Sequence, residues 1–158
     1  MAPVFLYAPQ DFHNLCLLAR TLEVFGQREC HIFDPHRLVR DRYGKMRSRE
    51  MRAVSAGAFE KIHWLGVEHP DQFLTDHAGR VVATVADPNA VSLTEHRFEL
   101  TDLILFGSER HGLPAHVVAA SRAAVTIPVL GETQSLNLAV TLGIVLFERQ
   151  RQIGSARV

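Results

Sequence analysis

Short apolar runs alternate with segments of helical spacing along most of the chain, and this alternation limits the fold more than any other feature. Residues 4–7 read Val-Phe-Leu-Tyr and residues 103–106 read Leu-Ile-Leu-Phe. Runs this uniformly apolar do not suit a sheet with one wet face; they suit strands buried on both sides, as in parallel sheets. Further strands are expected over residues 30–33, 59–65, 80–85 and 124–127, and helices over residues 14–25, 48–54, 69–77, 113–120 and 135–152. Strands alternating with helices imply an α/β fold, a mainly parallel sheet with helices on both faces. At 158 residues, one domain covering residues 1–158 is expected.

The first helix has two apolar faces. Leu15, Leu18, Ala19, Leu22 and Phe25 make one stripe at helical spacing, while Arg20 lies nearly opposite, flanked by Leu17 and Val24. Either the arginine stem covers these two side chains while its head reaches water, or the face packs on another surface and sets the guanidinium at a site. Charge is balanced, with 17 basic and 17 acidic residues, which taken alone argues against a nucleic-acid binder. The distribution is uneven, however. Arg37, Arg40, Arg42, Lys45, Arg47, Arg49 and Arg52 follow one another closely, opposed only by Asp41 and Glu50. Such a run is either a solvated loop or a phosphate-contacting patch, and charge does not choose between them.

The apolar start of the chain has no basic flank and is short, and residues 138–147 are interrupted by Thr141 and Gly143, so no membrane anchor is expected. Cys16 and Cys30 make neither a disulfide framework nor a zinc site, and the histidines show no H-x-H or H-E-x-x-H spacing. A reduced, cytoplasmic protein without a metal is expected.

Two segments carry the chemistry. After the most apolar run comes Phe106-Gly-Ser-Glu-Arg-His-Gly-Leu113. Gly107 lets a ligand approach the backbone or lets the chain adopt positive φ, and Glu109 is presented at the carboxyl end of a strand, where open α/β sheets bind ligands. Gly112 allows a second tight turn. The other segment runs from Val125 through Ile127-Pro128 to Ser135-Leu-Asn137 and a long apolar helix. Ser135 sits where an N-cap belongs, with Leu138 at the capping-box position. The Asn137 amide, at the start of an otherwise apolar helix, needs a partner, and free N–H groups there can hold polar atoms of a ligand. No G-x-G-x-x-G or Walker sequence follows the first strand, which argues against a phosphate-loop nucleotide binder.

In this order the segments resemble the motifs of the SpoU/TrmH-type RNA ribose methyltransferases of the SPOUT superfamily. Motif two, F-G-x-E-x-x-G-L, is matched by Phe106, Gly107, Glu109, Gly112 and Leu113, and motif three by Ile127, Pro128, Ser135, Leu136 and Asn137. Motif one, an Asn with an Arg six positions on, is matched by Asn14 and Arg20, with Thr21 and Phe25-Gly26 following. The small-residue turn over residues 55–58 also fits. Three departures stand out: Cys16 where the family carries glycine, Asp11-Phe12-His13 in place of a Pro/Gly-rich approach, and Ala139 where a second serine is common.

The resemblance implies a SPOUT fold with a C-terminal trefoil knot, binding S-adenosylmethionine in the knot through the surroundings of Thr84, Gly107, Ile127, Ser135 and Leu136. It implies 2′-O-methylation of an RNA ribose, with Arg20 positioning phosphate and hydroxyl while Asn14, Glu109, Ser135 and Asn137 hold the geometry. It further implies a homodimer whose sites borrow residues across the interface, and RNA running along the basic segment. The small build, without an added RNA-binding domain, resembles tRNA-acting members more than rRNA-acting ones. An rRNA methyltransferase and a non-catalytic RNA-binding paralogue are the alternatives.

Overall fold

The computed structural model describes residues 3–133 and 135–155. The two ends of the expected domain, and Gln134 within motif three, lie outside the described residues. The elements run β1 Val4–Tyr7, α1 Phe12–Val24, β2 Glu29–Phe33, α2 Ser48–Ser55, β3 His63–Gly66, α3 Pro70–Asp76, β4 Val81–Thr84, β5 Val91–Ser92, β6 Leu103–Phe106, α4 Ala115–Ala120, β7 Ala123–Thr126 and α5 Leu138–Ser155. The seven strands form one sheet in the order β3-β2-β1-β6-β4-β7-β5. Every pairing in it is parallel.

Burial on both faces explains the uniform apolar runs. Val4 and Leu6 of β1, with Ile104 and Phe106 of β6, join a core shared with Leu15, Leu18 and Leu22 of α1, Met51 of α2 and Leu142 and Val145 of α5. Phe5, Leu103 and Leu105 point the other way, onto Phe73 and Leu74 of α3 and Val117 of α4. Alternate residues of one strand thus serve opposite cores, and each fully buried Leu, Ile or Phe contributes about 1.5–3 kcal/mol. The expected helices on both faces are present.

Three local expectations need correction, and one strand was not expected. Residues 59–65 do not form one strand. Phe59–Lys61 is a 3-10 turn, because Ser55 Oγ accepts the Phe59 N–H and Trp64 Nε1 donates to the Phe59 carbonyl. Those bonds stack the Phe59 and Trp64 rings at 5.1 Å and delay the strand to His63. Helix α1 begins at Phe12, because the Asp11 carboxylate accepts the Asn14 N–H as an N-cap; the unusual approach to motif one is a capping residue. Strand β5, only two residues long, leaves no periodic signal. Ser135 is not the cap of α5, which begins at Leu138. The Asn137 Oδ1 accepts the N–H groups of Ala139 at 2.8 Å and Val140 at 3.4 Å, so Asn137 caps the helix.

Strand order reverses direction between β1 and β6, since β2 and β3 lie to one side and β4, β7 and β5 to the other. Open parallel sheets bind ligands at the carboxyl ends of strands at such a point.

Candidate active site

At that end, the loops following β4, β6 and β7 surround an open cleft of about 1210 Å³. Thr84, Gly107, Ile127, Ser135 and Leu136, the residues expected to hold a nucleoside, all line it, and so do Asn14, Glu109 and Asn137. Val85, Ala86, Asp87, Pro88 and Ala90 of the β4–β5 connection, with Ser92 and Leu93, complete one wall. They carry no motif, and their sequence offers no signal of a site.

The loop after β6 is a closed turn. Ser108 and Gly112 exchange both backbone hydrogen bonds, at 3.0 and 2.9 Å, and Gly112 takes φ +63°. The need for glycine at 107 has a different cause from either of those expected. Its φ is not left-handed, but a Cβ there would run into the backbone of Gly112 and Leu113. The turn can close only over a glycine, and its closure aims Glu109 back toward the start of α1.

Glu109 meets motif one there. Its Oε2 accepts the Gln10 N–H at 2.8 Å, and its Oε1 accepts from the Asp11 N–H at 3.3 Å and from Asn14 Nδ2 at 3.4 Å. Asn14 Oδ1 in turn accepts from Asn137 Nδ2 at 2.8 Å. A continuous relay, Glu109–Asn14–Asn137, therefore joins the three motifs, with Asn137 also fastening the start of α5. Ala8, in the left-handed region at φ 51°, turns the chain after β1 so that residues 10 and 11 present their N–H groups to the carboxylate. An Ala in this conformation costs about 1 kcal/mol, and three hydrogen bonds to one carboxylate offset it.

Cys16 leaves this arrangement intact. It is buried and its Sγ faces the Met51 carbonyl at 3.9 Å, on the side of α1 that packs on α2. Burial, reinforced by the Asp11 charge, raises its pKa, so the thiol is an inert packing group.

Among the residues expected to act chemically, Arg20 is not brought into the cleft of its own chain. It is exposed, lies about 9 Å along α1 from Asn14, and has no hydrogen-bond or ion-pair partner among the described residues. Its neighbours Leu17 and Val24 are 41% and 75% exposed, and on α5 Val140, Ile144 and Phe147 are exposed as well. Helices α1 and α5 pack side by side, and the three α5 residues follow i, i+4, i+7 spacing. Together they form an uncovered apolar face with Arg20 beside it.

None of the seven basic residues lines the cleft. The segment is an ordered hairpin leading into α2, bridged in antiparallel fashion between Arg40 and Met46. Arg47 pairs with Glu50 at 3.0 Å and Arg52 with Glu60 at 3.6 Å. A second, smaller cavity of about 380 Å³ lies between the cleft and the hairpin's root, lined by Gln10, Asp11, His36, Glu109, Arg110 and His111. His36, Arg110 and His111 escaped sequence reasoning because nothing in their spacing marks them.

The cleft fits an adenosine-type group. Among the described residues, no backbone hydrogen bond engages residues 128–133, 135 or 136, so N–H and C=O groups along this wall are open to a ligand. Thr84 Oγ1 donates to the Leu105 carbonyl, so its hydroxyl is already engaged and it offers the cleft chiefly its methyl group. Among the described residues, no group of three or more His, Cys, Asp or Glu side chains is placed to hold a metal, and no helix is long and apolar enough to cross a membrane.

Comparison with known proteins places this geometry. The profile of the SpoU rRNA Methylase family matches residues 1–147. The tRNA (guanosine(18)-2′-O)-methyltransferase of Thermus thermophilus is 32% identical over 145 residues, which cover 89% of this chain and 69% of that protein. A solved structure concerned with the 2-OH methylation of C/U34 on tRNA superimposes with a TM-score of 0.81 at 29% identity, covering 98% of this chain and 97% of that one. The AdoMet-bound rRNA methyltransferase of Sinorhizobium meliloti superimposes with a TM-score of 0.78 at 26% identity, covering 95% of this chain and 56% of that one.

Proposed function

The chain belongs to the SpoU rRNA Methylase family, and on that premise we propose that it methylates the 2′-hydroxyl of a ribose in RNA, with tRNA as the substrate and S-adenosylmethionine as the donor. The observation that carries this reading is the Glu109–Asn14–Asn137 relay at the mouth of the cleft. It ties all three motif segments into one rigid frame. Rigid framing is what methyl transfer needs, because the rate depends on holding an oxygen in line with the methyl carbon. The choice of tRNA is supported by the T. thermophilus relative and by the C/U34 structure, which this chain matches over nearly its full length.

Bound in the cleft, S-adenosylmethionine supplies a methyl group on a positively charged sulfur. The open backbone groups of the β7–α5 loop would hold its polar edges, and Ser135, which lines the same wall, would add a hydroxyl. Glu109, Asn14 and Asn137 fix the two loops that flank the reacting atoms. Arg20 organises the acceptor: always charged, it binds phosphate and orients the ribose hydroxyl, whose proton passes to solvent as the O–CH3 bond forms and the S–CH3 bond breaks to leave a neutral thioether.

Arg20 acts in the cleft of a second copy. The face formed by Leu17, Val24, Val140, Ile144 and Phe147 supports a homodimer through α1 and α5, since monomers rarely leave a contiguous apolar face of this kind open. The same reading includes a C-terminal knot. Its support is the interleaved strand order, in which β7 enters between β4 and β5, both laid down earlier in the chain. A cytoplasmic location is supported by two free, buried cysteines.

Calorimetry with S-adenosylmethionine and transfer assays on tRNA test the assignment together. Arg20→Ala is expected to bind the donor normally and to lose transfer. Full transfer by that variant removes Arg20 from the mechanism. A wild-type protein without donor affinity is not this enzyme, and donor binding without turnover on any RNA identifies the non-catalytic paralogue.

A further inference from the structure

Resting on the RNA methyltransferase reading, we propose that Tyr43, at the tip of the basic hairpin, is a stacking platform for an unpaired base of the RNA, next to the nucleotide being methylated. The ring is 77% exposed, unusual for a large aromatic side chain with no core to join. It is also held in place. The Arg42 guanidinium lies 4.8 Å from the ring centroid and covers one face, leaving the other face open.

The hairpin is built to keep the tip rigid. Asp41 Oδ1 accepts the N–H groups of Tyr43 at 2.8 Å and Lys45 at 2.9 Å, and the Asp41 N–H donates to the Lys45 carbonyl at 2.8 Å. Hydrogen bonding from the Lys45 backbone holds the Asp41 carboxyl below its ordinary pKa. The one acid in the tip is thus engaged with the backbone, while Arg37, Arg42 and Lys45 keep their charges in solvent. Arg40 Nη1 closes the turn on the Gly44 carbonyl. At the root, Asp34 accepts the N–H groups of Leu38 and Val39.

The hairpin leaves the carboxyl end of β2, the same end of the sheet as the cleft, and His36 at its root shares the smaller cavity with Glu109 and His111. Tyr43 lies in the turn beyond the Arg40–Met46 bridge and lines neither cavity, so it meets a neighbouring nucleotide and not the target itself. An aromatic face among cations is the arrangement by which proteins hold single-stranded nucleic acid, cations taking the phosphates and the ring taking a base. A duplex keeps its bases stacked on one another and offers the ring nothing. Tyr43 therefore selects RNA that is unpaired beside the methylation site.

The test compares wild-type protein with Tyr43→Ala, Tyr43→Phe and Tyr43→Trp on two RNAs of equal length and charge, a stem with an unpaired loop and a continuous duplex. Tyr43→Ala is expected to weaken loop binding about 5- to 150-fold, the range for one stacked base, with duplex binding changed less than about twofold. Tyr43→Phe should bind like wild type, since the face and not the hydroxyl is used. The Tyr43→Trp emission should be quenched by the loop RNA alone, against a background set by Trp64, which is only 5% exposed. Unchanged loop binding by Tyr43→Ala, or equal loss on both RNAs, overturns the inference. Donor affinity measured on each variant distinguishes a misfolded protein from a lost contact. A wild-type protein that binds neither RNA defeats the methyltransferase reading as well, whereas an active wild type with an unaffected Tyr43→Ala defeats this inference alone.

Discussion

Asn14 receives Asn137 on its carboxamide oxygen and reaches Glu109 with its nitrogen, so one side chain registers stretches of chain separated by 95 and 123 positions. Asn137 has two duties, since its oxygen caps α5 while its nitrogen bonds Asn14. Removing it by Asn137→Ala is therefore expected to lower stability by about 1 kcal/mol through the lost cap. Ser135→Ala, which touches no helix N–H, should stay within about 0.5 kcal/mol of wild type. Urea denaturation of the two variants decides the matter: equal losses, or a larger loss from Ser135→Ala, contradict the assignment of the cap. The residue types at this site were legible in the sequence, because an amide beside an apolar helix and a carboxylate after a buried strand each require a partner. Which partner each would find was not legible. The contacts are set by where loops meet in space, and neither periodicity nor spacing encodes that meeting. Gly107 shows the same limit, since its need for a missing Cβ comes from the returning backbone of Gly112 and Leu113.

Among the elements, the strands other than β5 and the body of α1 follow from pattern, because burial on one or two faces imposes the period. The corrected boundaries all fall where side chains bond to backbone: Asp11 at the start of α1, Ser55 and Trp64 around the 3-10 turn, Asn137 before α5. The long β5–β6 connection has no regular structure and yet is firmly held. Gln152 of α5 donates to the His96 carbonyl and accepts the Phe98 N–H, and Arg149 donates to the Leu100 carbonyl. Buried Asp102 accepts a two-pronged contact from Arg80 at 2.8 Å on each oxygen. Within this knot of contacts His96 is 7% exposed and stacks edge-on against Phe98. Burial lowers the His96 pKa from 6.5, with Asp102 opposing the shift and Arg80 adding to it. Because the folded value is the lower one, the unfolded chain takes up the proton first as pH falls. Stability is accordingly complete above about pH 6.5 and declines below it. His31, lowered by burial in the same way, adds to the slope. Urea midpoints at about pH 7.5 and about pH 5.5 should differ, and His96→Gln should reduce the difference. An unchanged pH dependence in that variant contradicts the role given to His96.

For the whole molecule, the parallel sheet with helices on both faces was legible in the sequence, since unbroken apolar runs cannot be placed in a half-wet sheet. The order β3-β2-β1-β6-β4-β7-β5 was not, because pattern does not say beside which neighbour a strand will settle. That order creates the cleft by gathering the loops after β4, β6 and β7 at one end. Arg20 stands outside the cleft of its own chain beside an apolar face on α1 and α5, and in the proposed homodimer activity depends on association. Phe147→Glu places a charge on a side chain that is 62% exposed in the single chain and is expected to yield a folded monomer by light scattering, with donor affinity retained and transfer reduced about a hundredfold as Arg20 is lost from the site. A Phe147→Glu protein that remains dimeric, or a monomer with full activity, contradicts the shared site. Methyl transfer to a ribose oxygen is tested by incubating the protein with S-adenosylmethionine and unmodified tRNA, digesting the RNA to nucleosides and identifying the methylated product by mass spectrometry. A single 2′-O-methylated nucleoside is expected, absent when Asn14→Ala replaces the wild type; a methyl group on a base, or no transfer to RNA at all, rules out ribose methylation.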